Sequence, residues 1–135
     1  MTIYFAGAIR GGRADRDLYR QIVERLRGYG TVLTEHIAEA TLTDRGESLS
    51  NREIHDRDLA WLRSADFLVA EVTTPSLGVG YEVGRAIEWG KPVLCLFRPA
   101  ADRTLSAMIA GSGATVCDYQ TPEELDAIFR QHVLL

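Results

Sequence analysis

Short, nearly continuous apolar runs recur along the chain, at Ile3 to Ile9, Thr31 to Thr34, Phe67 to Val72, Val93 to Phe97 and Ala114 to Cys117. They are rich in Val, Ile, Leu and Phe and lack the alternation of a sheet with one wet face. They therefore predict strands of a parallel sheet covered on both sides. Between them the period changes. Leu18, Ile22, Val23 and Leu26 fall at helical spacing within Asp17 to Arg27, a run closed by Gly28 and Gly30. Ser50 or Asn51 caps a second helix that runs through Ile54, Leu59, Trp61 and Leu62 to about Ala65. A third covers Gly78 to Trp89 and stops at Gly90-Lys91-Pro92. Leu105, Met108 and Ile109 mark a short fourth, and Thr121-Pro122-Glu123-Glu124 opens the last with a capping box and a proline in its first helical position.

Five strands alternating with five helices predict a doubly wound α/β fold: a five-stranded parallel sheet with helices on both faces, Rossmann- or flavodoxin-like, in the strand order 2-1-3-4-5. The segment from Ala38 to Arg52 is polar, aperiodic and longer than most helix-strand connections, so it reads as a flap, centred on Leu42 to Arg52. At 135 residues, 46% of them hydrophobic, the chain is expected to form one domain over 1–135.

Charge and cysteines narrow the function. A net charge of -4 argues against non-specific binding to a nucleic-acid polymer, which needs clustered Lys and Arg, yet allows a few local donors to hold one small anion. Cys95 and Cys117 each lie in an apolar run with no CxxC and no histidine at metal-ligand spacing, and read as core thiols of a reducing cytoplasm. The opening MTIYFAGAIRGGR has no basic region ahead of its apolar stretch, and no window is long and apolar enough for a membrane span. A cytoplasmic protein is expected.

In this architecture ligands bind beyond the carboxyl ends of the strands, where strand order reverses. The loop after strand one, Gly7-Ala8-Ile9-Arg10-Gly11-Gly12-Arg13, reads either as a phosphate cradle of backbone amides and forked arginine donors or as a glycine-rich turn with two solvated arginines. Its spacing matches neither GxGxxG nor GxxxxGK[ST]. Glu35 thus imitates the ribose-binding acid of a dinucleotide fold without the glycines to go with it, and no NAD site is expected.

After strand three, Ser76 can cap the third helix or bond a phosphate, and Gly78 and Gly80 thin the backbone at the helix start. Glu82 follows one turn later, either facing the site or paired with Arg85 three residues on. Asp58 falls inside the apolar stripe of the second helix, while Arg57 and Arg63 are free to face water. It reads as a desolvated general acid or as a structural aspartate paired with His55 or Arg10. Two carboxylates beside one phosphate cradle suggest cleavage of a glycosidic bond in a phosphorylated sugar. Tyr4 could reach the same strand ends or serve the core, and His36 could touch a ligand or be structural.

The stretches YFAGAIRGGR, LTEHI, IHDRDLAWL, AEVTTPSLGVGYEVGRA and LCLFRP with LSAMI resemble, in the same order and over nearly the whole chain, the 2'-deoxynucleoside 5'-phosphate N-hydrolases of the nucleoside 2-deoxyribosyltransferase superfamily. That resemblance implies hydrolysis of deoxynucleoside monophosphates to free base and 2-deoxyribose 5-phosphate, without metal or cofactor, by a homodimer. It implies that Glu82 is the nucleophile at C1', Asp58 the acid/base and Tyr4 the residue that orients the nucleophile and the sugar. It makes Ser76 and Gly78 the phosphate site, Gly7 to Arg13 the nucleotide-lining loop and His36 a base-side residue. Ser106, with Ala107 and Met108, would reach the phosphate from the partner subunit. The flap differs from its counterparts in composition and length, which leaves base preference open. Alternatives are a nucleoside deoxyribosyltransferase, a cytidylate-type ribonucleotide hydrolase, and a nucleotide-binding module without catalysis.

Overall fold

The computed structural model describes residues 1–9, 13–35 and 49–133, and the side chains of all of these except Arg13 and Ala14. Five parallel strands form one sheet: β1 (Thr2–Ala6), β2 (Thr31–Leu33), β3 (Phe67–Glu71), β4 (Val93–Phe97) and β5 (Thr115–Asp118), in the order β2-β1-β3-β4-β5. The expected order is the observed one. Every residue of β3 and β4 is buried, whereas β2 and β5, at the edges, are only half covered. That difference matches the richer apolar runs in the central strands.

The strands alternate with α1 (Arg13–Leu26), α2 (Asn51–Ser64), α3 (Leu77–Glu88), α4 (Ala107–Ala110) and α5 (Leu125–His132). Side chains of a strand point alternately to the two faces, so β1 divides its residues between two cores. Ile3 and Phe5 join Leu18, Ile22 and Leu26 of α1 and Leu125 and Phe129 of α5. Tyr4 and Ala6 turn the other way, toward Leu62 of α2 and Val79, Val83 and Ala86 of α3. Leu62 is fully buried, and truncating it to alanine is expected to cost about 2–5 kcal/mol and to loosen the helix that carries Asp58.

Local chemistry sets the helix ends. At α2, Ser50 Oγ accepts from the Glu53 amide at 3.1 Å while the Ser50 amide donates to Glu53 Oε1 at 3.2 Å, a complete capping box. α3 ends where Gly90 takes a φ of +72°, a conformation that a residue with a Cβ adopts at a cost. Gly30 answers to space instead, since a Cβ there would lie 2.1 Å from the Met1 carbonyl oxygen.

Three boundaries differ from expectation. β1 stops at Ala6 rather than Ile9, so Gly7, Ala8 and Ile9 belong to the loop that leaves the sheet. α1 starts at Arg13 rather than Asp17, because its first turn is polar and gives no apolar period, although Asp15 there suits the helix dipole. The last helix opens as a separate 3-10 turn at Pro122–Glu124, where the Glu124 carboxylate accepts from the amides of Gln120 and Thr121.

Candidate active site

Strand order reverses between β1 and β3, and at their carboxyl ends side chains from four segments converge. Tyr4 comes from β1, Glu35 follows β2, Asp58 comes from α2 and Glu82 from α3. The Tyr4 hydroxyl donates a short hydrogen bond to Glu82 Oε2, and both residues are buried. Desolvation by burial, then the negative charges of Glu82, Asp58 and Glu35, push the Tyr4 phenol far up. Tyr4 is thus held neutral as a hydrogen-bond donor.

Glu82 is pushed up to about 7, chiefly by burial. The Tyr4 hydrogen bond pulls it down, and the charge of Asp58 pushes it up. Arg85 does not neutralise it, because its Nη1 donates to the Tyr81 hydroxyl at 2.9 Å and its guanidinium lies over Tyr81 and Trp89. Asp58 is 6% exposed, as its place in the apolar stripe of α2 requires, and among the described residues its partner is not His55 but Arg57, whose Nε donates to Asp58 Oδ1 at 3.0 Å. His55 turns outward to Asp56 and Tyr81. Arg57 itself is drawn inward, against the expectation that it faces water, and its Nη2 also lies 3.7 Å from Glu35 Oε1.

Glu35 is the residue that sequence reasoning left without a role. Burial, a hydrogen bond with Asp58 and repulsion from Asp58 and Glu82 push it up to about 8, with Arg57 opposing. Arg57 is thus shared by two carboxyls, and of the two Glu35 is the one pushed toward keeping its proton. The site therefore contains an ionisable nucleophile candidate beside a carboxyl that holds its proton, which is the equipment for displacement at a carbon with proton delivery to the leaving group. The signal in the sequence was the placement of Glu35 straight after an apolar run, at the binding edge of the sheet.

Ser76 caps α3, its Oγ accepting from the Val79 amide at 3.3 Å. The first amides of this twelve-residue helix lie one turn before Glu82, and a Cβ on Gly78 would approach nothing but Ser76 Oγ, at 3.9 Å. An anion can therefore approach the helix start closely. Ser106 caps α4 and lines, with Ser76, Gly80, Tyr81 and Met108, a cavity of about 660 Å³ on the outer side of α3. Ala107 is exposed beside it. Gly7 and Ala8 are buried, and Ile9 is exposed. Arg10, Gly11, Gly12 and His36 lie outside the described residues, as does the flap up to residue 48; Arg13 opens α1. Among the described residues no group of three or more His, Cys, Asp or Glu side chains is placed to hold a metal ion. Nor, among them, is any helix long and apolar enough to cross a membrane.

Comparison with known proteins gives this geometry a context. Residues 3–125 match the family described as nucleoside 2-deoxyribosyltransferase. The chain is 57% identical over 137 residues to the 5-hydroxymethyl-dUMP N-hydrolase of Mus musculus, covering 97% of this chain and 79% of that one. It is 58% identical over 128 residues to the protein of that name from Homo sapiens, covering 90% and 74%. A solved structure of a conserved protein from Enterococcus faecalis superimposes with a TM-score of 0.77 over 97% of this chain and 98% of that chain, at 22% identity, and shares the fold.

Proposed function

Since the chain belongs to the nucleoside 2-deoxyribosyltransferase family, we propose that it hydrolyses the N-glycosidic bond of 2'-deoxynucleoside 5'-monophosphates, giving free base and 2-deoxyribose 5-phosphate. The observation that carries this reading is the buried Tyr4–Glu82 pair set against Glu35 and Asp58, which share Arg57, one helical turn from the start of α3. The relatives' name adds a substrate, 5-hydroxymethyl-dUMP, with which a search should begin.

The phosphate docks at Ser76 and the first amides of α3, so that binding energy remote from the reacting bond aligns C1' with Glu82. The Glu82 carboxylate attacks C1' as the C1'–N bond breaks, and the bond's electron pair leaves with the base, which takes a proton from the pair of acids, Glu35 and Asp58. Water then attacks C1', gives its proton back to that pair and releases Glu82, with configuration retained. Tyr4 holds the nucleophile in line through its hydrogen bond. A missing 2'-hydroxyl removes an electron-withdrawing oxygen next to the developing positive charge, which favours deoxy substrates.

The working unit is a homodimer of one-domain chains, residues 1–135, in a reducing cytoplasm where Cys95 and Cys117 remain thiols. Support for the dimer is the apolar ground around the 660 Å³ cavity, where Leu77 is 96% and Met108 83% exposed on the single chain. A second copy covering it would bring Ser106 to its partner's phosphate. Chromatography for free base across a panel of deoxy- and ribonucleoside 5'-monophosphates, with and without a competing base, tests the reaction. Release only from ribonucleotides, sugar transfer to the added base, or binding without release would overturn it. Mixing Glu82→Gln with Ser106→Ala protomers tests the dimer: each mixed dimer has one intact site, so mixing is expected to restore activity that neither variant shows alone at low substrate. No recovery means that Ser106 serves its own chain or none.

A further inference from the structure

A proton assists the chemistry when it stands on a definite carboxyl oxygen as the base departs. Arg57 touches both candidates unequally. Its Nε is 3.0 Å from Asp58 Oδ1, while its Nη2 is 3.7 Å from Glu35 Oε1. The guanidinium is itself held, lying 4.9 Å from the Trp61 ring centroid one turn along α2, with its side chain only 20% exposed. We infer that Arg57 is a positioning residue whose direct bond to Asp58 leaves Glu35 as the carboxyl that delivers the proton, an inference that rests on the hydrolase reading above.

The physical case is a comparison of charges. Arginine stays protonated throughout the working pH range, so its field is constant. The Nε–H···Oδ1 contact is the shorter and the direct one, and a charge-assisted hydrogen bond stabilises the ionised partner. Among the described residues the groups facing the pair are Arg57 and Asp58 from α2, Glu82 from α3, Tyr4 from β1 and Glu35 itself at the exit of β2. Arg57 is the single cation of that set. Without it no cation distinguishes the two carboxyls, and the donor is correctly placed only part of the time. With it, the Glu35 O–H bond breaks as the base nitrogen gains the proton and the C1'–N electron pair, leaving Glu35 as a carboxylate. In the second step Glu35 recovers a proton from the water whose oxygen bonds to C1' and displaces Glu82.

The experiment compares two leaving groups on the same sugar phosphate. Wild-type release of base from a deoxynucleoside 5'-monophosphate establishes the underlying reading; if there is none, that reading fails whatever Arg57 does. In Arg57→Gln, kcat on the deoxynucleotide is expected to fall by about 10- to 100-fold. On 4-nitrophenyl 2-deoxyriboside 5-phosphate, whose phenolate leaves without a proton, the loss should stay below about threefold. The alkaline limb of kcat/KM is expected to move to higher pH, because the cation that eases Glu35 ionisation is gone. Arg57→Lys restores charge without the fork and should recover part of kcat. Equal losses on the two substrates, or an unmoved alkaline limb, would overturn the assignment. If Arg57→Gln does not fold, Trp61→Leu keeps every charge and releases the guanidinium; a smaller loss with the same preference for one substrate supports the inference, and equal losses refute it.

Discussion

Two buried glutamates, each bonded by a tyrosine hydroxyl, lie at the carboxyl ends of the sheet on opposite faces. Glu71, at the end of β3, accepts from the Tyr119 hydroxyl and from the Thr73 amide at 2.7 Å. Glu82 accepts from Tyr4 on the other side. The first is balanced: Arg98 stands 3.6 Å from Glu71 Oε2 and 3.1 Å from Asp15 Oδ1, Thr74 Oγ1 donates to Asp15 at 3.1 Å, and the Arg98 amide donates to Thr73 Oγ1 at 2.9 Å. The second is not. Among the described residues its one nearby cation, Arg57, is engaged by Asp58 and Glu35. The same glutamate-tyrosine motif ties loops together where charge is compensated and stores reactivity where it is not.

Glu82→Gln gives the largest contrast. Base release should drop on the order of 10⁴-fold, because no nucleophile is left. The fold should gain stability at the same time. The folded value of Glu82, about 7, lies above its ordinary 4.5, so ionisation burdens the folded state fully above pH 7 and not at all below pH 4.5. The gain in the variant is therefore expected near pH 8, on the order of 2–3 kcal/mol, and should fade toward pH 4.5 in thermal melts. A variant less stable at both ends would place Glu82 in the balanced class.

Arg98→Met is the reverse experiment. It strands Glu71 and Asp15 without a cation and should cost about 3–5 kcal/mol of stability, much of it regained when Glu71→Gln is added. Turnover per folded molecule should change far less than in Glu82→Gln. Tyr4→Phe comes next, with kcat lower by about 10- to 100-fold. Its pH profile is the sharper readout. Wild-type kcat/KM should rise as Glu82 ionises near pH 7 and fall as Glu35 loses its proton near pH 8. Loss of the Tyr4 hydrogen bond removes a pull downward on Glu82, so the acid limb should move to higher pH. Tyr119→Phe, the matching change at the balanced site, should lower stability by about 1–2 kcal/mol and leave that limb where it was.

How much of this could be read in the sequence followed the range of the interactions. The strands were legible because a parallel sheet covered on both faces writes itself as unbroken apolar runs, and the order of turns and caps fixed the helices. Asp58 was legible as a candidate because it interrupts the apolar stripe of its helix, and Tyr4 and Glu82 because each stands near the carboxyl end of a strand, while their roles came from the family resemblance. Glu35 and Arg57 were not, because their meaning is a contact between the exit of β2 and the side of α2. A helical wheel that turns Arg57 to water has no knowledge of a carboxylate arriving from another strand. The Arg98 cluster was invisible for the same reason, as Asp15 and Arg98 are 83 residues apart in sequence.

Tyr4 stands on β1, the strand hydrogen-bonded on one side to β2 and on the other to β3. The first-made strand of the chain is thus a central piece of the sheet and waits for partners that are synthesised much later. Glu82 is translated long after Tyr4, and the helix that carries it is seated only when β3 has found its place. Turnover accordingly reports completed assembly: in a refolding experiment the reappearance of base release should trail the recovery of helical signal, and the interval between them is the time the chain takes to close its central strands.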